Sequence, residues 1–172
     1  PQLGLSFLPP ATIPDAGQCS SEAILSMVDV HSQLQTQSLS TQVSLSGPAV
    51  VYAYLDSSCT IPVLSGVTLP PLTSSLPLYF KGNISGSYDL NATSPGLFSG
   101  AGSVQIAAGA PASVGLTGPL SAYTGDCKGG FLVQLKDSFN NQAVSTSSHL
   151  VSFSGIGSGF YYQDINCTSL VT

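Results

Sequence analysis

Apolar and polar residues alternate in short runs along this chain. Leu3, Leu5 and Phe7 alternate ahead of Pro9-Pro10, the period-two pattern of a half-buried strand stopped by a breaker. The pattern returns at Ala23, Leu25 and Met27, at Val43 and Leu45, and at Val50, Tyr52 and Tyr54. It continues at Val67 and Leu69, at Leu76, Leu78 and Phe80, at Tyr88 and Leu90, and at Val104 and Ile106. Farther on come Phe131, Val133 and Leu135, then Val151 and Phe153. Gly47-Pro48, Pro70-Pro71, Lys81-Gly82-Asn83, Ser94-Pro95-Gly96 and Gly100-Ala101-Gly102 separate the runs as turns. Strands recurring about every eight to twelve residues predict an all-β sandwich, with about seven strands before Gly109. The stretch Ser20 to Val30 comes nearest to a helix, but its counterpart Phe131 to Leu135 is β-rich and argues strand for both.

That counterpart belongs to an internal repeat. Cys19 and Cys59 lie 40 positions apart, and so do Cys127 and Cys167, the second pair displaced by 108 (127 − 19 and 167 − 59). The same ungapped displacement matches Gly17 with Gly125, Asp29 with Asp137, Ser46-Gly47 with Ser154-Gly155, Tyr54 with Tyr162 and Asp56 with Asp164. Gly109-Ala110-Pro111-Ala112 marks the join. Residues 1–109 are expected to form one complete immunoglobulin-like sandwich, and residues 110–172 the first part of a second, placed end to end as a rod. Nothing in the second copy corresponds to the stretch from about Leu64 to Ala108, so its remaining strands come either from further sequence or from a partner chain.

The matched cysteines read as two disulfides, Cys19 to Cys59 and Cys127 to Cys167, among the three connectivities that four cysteines allow. Zinc is the competing reading. It calls for short C-x-x-C or C-x-x-H spacings, which are absent, and His31 and His149 do not correspond under the repeat. Disulfides place the chain in an oxidising compartment, at the cell surface or outside the cell.

Charge narrows the partners. Three Lys+Arg against eight Asp+Glu give a net charge of -5, with only 6% of residues charged, which excludes the basic patch that nucleic acid requires. A 42% hydrophobic fraction is that of a chain that folds. Its surface is then left to Ser, Thr, Asn, Gln and Gly, which repel neighbours weakly and favour self-association or packing against neighbouring repeats. There is no run of eighteen apolar residues, hence no expected membrane span, and the start lacks the pattern of a signal peptide.

Candidate chemistry is sparse. Serine is so common that Ser-His-Asp combinations carry no information, and the repeated acids Asp29/Asp137 and Asp56/Asp164 occur once per copy, as turn residues do. Asp15, Asp89 and Asp126 are scattered, without the clustered acids of a calcium loop. No catalytic, cofactor-binding or metal-ligating residue is expected, and no cofactor. Asn83-Ile-Ser, Asn91-Ala-Thr and Asn166-Cys-Thr fit the N-glycosylation acceptor pattern.

The first copy carries Gly17-Gln18-Cys19, Val67-Thr68-Leu69-Pro70, Leu78-Tyr79-Phe80-Lys81 and Gly86 through Ala92. The second copy has Thr124-Gly125-Asp126-Cys127, Val133 through Asp137, Asn140 through Val144 and Phe160-Tyr161-Tyr162. With these motifs the chain resembles the tandem bacterial immunoglobulin-like repeats of large surface and adhesin-type proteins. The first copy departs from the family where Val30-His31-Ser32-Gln33 replaces an Asn-Gly turn. The resemblance implies a non-enzymatic structural module of an extracellular fibre or adhesin stalk, and the open strand edges of the incomplete second copy suit assembly through β-strand complementation between subunits. The alternative is an adhesin domain that binds a glycan or protein on another cell. Exposed aromatic clusters at Tyr52 and Tyr54, or at Phe160, Tyr161 and Tyr162, would mark that role.

Overall fold

The computed structural model describes residues 3–119, 121, 123, 125–154 and 160–171. Thr124 and Gly155, which enter the matched motifs above, lie outside them. The chain forms two compact units, Pro1–Gly109 and Ala110–Thr172. All regular elements among the described residues are β-strands.

The first unit holds eight strands where the turn spacing suggests about seven. They are β1 (Leu3–Leu8), β2 (Ala23–Asp29), β3 (Thr41–Ser46), β4 (Val51–Tyr54), β5 (Val67–Leu69), β6 (Ser75–Gly82), β7 (Gly86–Thr93) and β8 (Gly100–Ile106). They make two four-stranded sheets, β1-β2-β6-β4 and β5-β3-β7-β8, with antiparallel ladders throughout. Alternation explains the layering, because residues two apart share a face. Ala23, Leu25 and Met27 of β2, Leu78 and Phe80 of β6, Val43 of β3, Leu69 of β5 and Val104 and Ile106 of β8 all point into one buried core.

This order is that of an immunoglobulin sandwich, whose A-B-E-D sheet faces a C-F-G sheet. Here β1, β2, β6 and β4 take the first set of places, and β3, β7 and β8 the second. The extra strand, β5, extends the second sheet beside β3, so the chain crosses between sheets from β4 to β5 and back again to β6. Parallel bridges from Gly4 to Phe98 and from Asp15 to Ala107 tie the N-terminal segment to the second sheet as well. Gly100 makes one such approach possible, since a Cβ there would lie 2.6 Å from the Leu5 carbonyl oxygen.

In the second unit, β9 (Ser113–Thr117) pairs antiparallel with β10 (Leu132–Lys136). Lys136 faces Ser113, whereas the equivalent Val28 faces Gly4, so β9 matches β1 at a displacement of 109 while β10 matches β2 at 108. The second unit has one residue fewer between them (136 − 113 = 23 against 28 − 4 = 24). The strand expected at Val151 and Phe153 does not form: residues 151–154 are irregular. Its counterpart β3 is held between β5 and β7, whose equivalents would fall after Thr172, and a strand without ladder partners leaves its backbone groups to water.

Candidate functional site

The most elaborate local structures are two carboxylate-centred turns that occur in both units. Asp29 ends β2, and its Oδ1 accepts hydrogen bonds from the backbone N–H groups of His31 and Gln33 at 2.8 and 3.0 Å, while Oδ2 accepts one from Gln35 Nε2. In the second unit Asp137 Oδ1 accepts from the Phe139 and Asn141 N–H groups, and Oδ2 from Asn141 Nδ2. The left-handed position is Ser32 (φ 61°) in one and Asn140 (φ 70°) in the other. The Val30-His31-Ser32-Gln33 turn therefore closes as its Asn-bearing counterpart does, in spite of its different sequence. Donation from the Gln33 N–H, then from His31, holds the Asp29 carboxyl below its ordinary range.

The second turn carries the cysteine. Asp56 accepts from the N–H groups of Ser58, Thr60 and Ile61 and from Thr60 Oγ1. Asp164 accepts from Asn166, Thr168 and Ser169 and from Thr168 Oγ1 in the same pattern. Each turn sets its cysteine at positive φ, 52° at Cys59 and 55° at Cys167. Partial burial raises the Asp56 carboxyl, and its backbone and hydroxyl donors outweigh that to leave it below the usual carboxylate value. Asp164 is lowered chiefly by the Ser169 N–H.

Cys19 is bonded to Cys59, with Cα atoms 5.7 Å apart, and Cys127 to Cys167 at 5.9 Å. Cys19 precedes β2 and Cys59 follows β4, and β2 and β4 flank β6, so the first bridge joins the two sides of β6 within one sheet. Next to it the Gly17 N–H donates to the Gly82 carbonyl, and Ser20 bonds both backbone groups of Phe80.

The other candidate residues are dispersed. Asn83 is exposed in the β6–β7 turn, Asn91 is exposed within β7 between Ser46 and Ala101, and Asn166 is exposed beside the bridged Cys167. His31 is exposed in its turn, and exposed His149 bonds Ser145 Oγ through Nε2. Among the described residues no three His, Cys, Asp or Glu side chains group as metal ligands. Tyr52 is exposed. Tyr161 is half-buried against Phe153, with ring centroids 4.7 Å apart, while Phe160 is exposed.

One feature lacks a sequence signal. A groove of about 330 Å³ in the first unit is lined by Phe7, Leu45, Val51, Phe80 and Leu90, with Tyr52 and Asn91 among its remaining lining residues. Its lining is drawn from five different strands, which no local motif links.

No protein-family model matches the chain, and no curated protein does. Among solved structures, a glycosyl hydrolase family 2 member from Bacteroides cellulosilyticus is similar at 16% identity and a TM-score of 0.44, over 61% of this chain and 14% of that one. Domains 1–6 of the surface layer protein SbsC are similar at 13% identity and a TM-score of 0.41, over 81% of this chain and 16% of that one. The chain thus spans less than a fifth of either protein's structure.

Proposed function

We propose that this chain is a non-enzymatic structural segment of an extracellular or cell-surface polymer, in which bridged β-sandwich repeats set length and spacing. The observation that carries this reading is the recurrence, 108 residues apart, of one device: a carboxylate-organised turn presenting a cysteine to a bridge. A bridge across β6 limits how far a loaded module can extend, because the residues between Cys19 and Cys59 stay closed even when the sandwich opens. Two disulfides also agree with an oxidising location. Stretching single chains with and without reductant tests the idea. Reduction is expected to add about 140 Å of contour length to the first unit, at roughly 3.5 Å for each of the 40 residues released. Opening at negligible force with the bridge intact would remove the mechanical role.

A binding domain for a cell-surface glycan or protein is favoured by one observation, Tyr52 beside the groove. Displacement of the Tyr52 ring resonances by oligosaccharides would move the reading there.

A further inference from the structure

The unpaired edge of β10 can be compared, residue by residue, with the equivalent edge in the first unit. There β2 pairs on one side with β1 and on the other with β6, in the register Ala23–Leu78, Ile24–Pro77, Leu25–Leu76 and Ser26–Ser75. The positions 108 further on are Phe131, Leu132, Val133 and Gln134. Among the described residues, β10 has a ladder with β9 only. Burial differs accordingly. Ala23 and Leu25 are 0% exposed and Leu5 is 6% exposed, whereas Phe131 is 56%, Val133 38% and Val114, which stands in the place of Leu5, 52%. The same alternating pattern that closes a core in one unit lies open in the other.

We infer that the free edge of β10 is an acceptor for an extended segment of the β6 type that is not already paired within a sandwich of its own, running antiparallel to β10. This rests on reading both units as copies of one repeat. The β2–β6 ladder is the established interface of the equivalent edge and fixes the register: Phe131 opposite the counterpart of Leu78, and Val133 opposite that of Leu76. The acceptor residues Phe131 to Leu135 and the donor pattern Ser75 to Phe80 carry no charge, so pairing desolvates no ion. The donor's Leu-x-Leu-x-Phe face extends the apolar face of β10 beside Phe131 and Val133. A second copy of this chain is a poor donor, because its β6 is held between β2 and β4 and leaves only if that sandwich opens.

The test extends the full chain after Thr172 with its own Ser65–Gly109 sequence; Thr172 is the equivalent of Leu64 (172 − 64 = 108), so the addition is in register. Amide hydrogen exchange is followed at Val133 and Leu135, which like Leu25 and Met27 direct their N–H groups to the edge away from the first ladder partner, with light scattering to give the mass. The extended chain is expected to remain monomeric and to exchange there about 100-fold more slowly than the 172-residue chain, with β2 unchanged as the control for folding. Replacing the appended copies of Leu76 and Leu78 by Asp is expected to restore fast exchange. Unchanged exchange in the extended chain overturns the inference, as does slow exchange that survives the Asp replacements. So does a dimer of the 172-residue chain with these amides already protected, which would make a second copy the occupant. The force measurement on the Cys19–Cys59 module is independent of β10, so the spacer reading and this one fail separately.

Discussion

A single carboxylate organises each cysteine turn: Asp56 receives three backbone N–H groups and a hydroxyl. Because these donors favour the ionised form, Asp29, Asp56 and Asp164 all sit below their ordinary value of 3.8. A folded-state pKa below the unfolded one stabilises the fold fully above the unfolded value, and that contribution is lost as pH falls through the folded value. The urea midpoint of the first unit is therefore expected to hold level down to about pH 4 and to fall below it, with the fall reduced in the Asp29→Asn/Asp56→Asn variant. A midpoint that declines already at pH 6, read by circular dichroism, contradicts this assignment. The neighbouring Ser32 bears the left-handed φ that Asn140 takes in the second unit, and Asn tolerates that region better than Ser. Ser32→Asn is expected to raise stability by about 0.5 kcal/mol in urea titration at neutral pH, and a loss would show that the serine hydroxyl is needed there.

Strands were legible where their apolar faces alternate. The runs at Leu25, Leu78 and Val104 match β2, β6 and β8 because a single buried face is enough to produce period two. Val151 and Phe153 show the same alternation and form no strand, since pattern describes a face but a strand also needs a neighbour to bond. The crossing from β4 to β5 and back was equally out of reach: Val67 and Leu69 announce a strand without stating which sheet receives it. The repeated acids were recognisable as turn residues by their spacing, whereas the groove depends on side chains that meet only after the sheets pack. The Cys19–Cys59 bridge is an element-level constraint, joining the segments on both sides of β6. Its closed loop of 40 residues predicts a loss of about 4 kcal/mol for the Cys19→Ala/Cys59→Ala variant by loop entropy. Equal urea midpoints for variant and parent at matched pH would show that the unfolded chain gains nothing from the bridge.

Across the whole molecule, burial is unevenly shared. The core from Leu5 to Ile106 lies in the first unit, and Ala143 is the one buried apolar residue of the second among those described. Local opening follows buried contacts, so the second unit is expected to open at far lower free energy than the first. The chain carries its own probe for this, because its three basic residues are all lysines, each in a different setting. Lys81 lies in β6 opposite Tyr52 of β4, Lys136 closes the two-stranded ladder opposite Ser113, and Lys128 is exposed in an irregular segment just after Cys127. Trypsin is expected to cut first after Lys128, then after Lys136, and to leave Lys81 intact. Both cuts fall inside the loop closed by Cys127 and Cys167, so residues 1–128 and 137–172 stay joined until reductant is added. Intact mass before and after reduction reads this directly. Cleavage at Lys81 as fast as at Lys128 would mean that the first sandwich opens as readily as the second unit, and the spacer role would lose its rigid element.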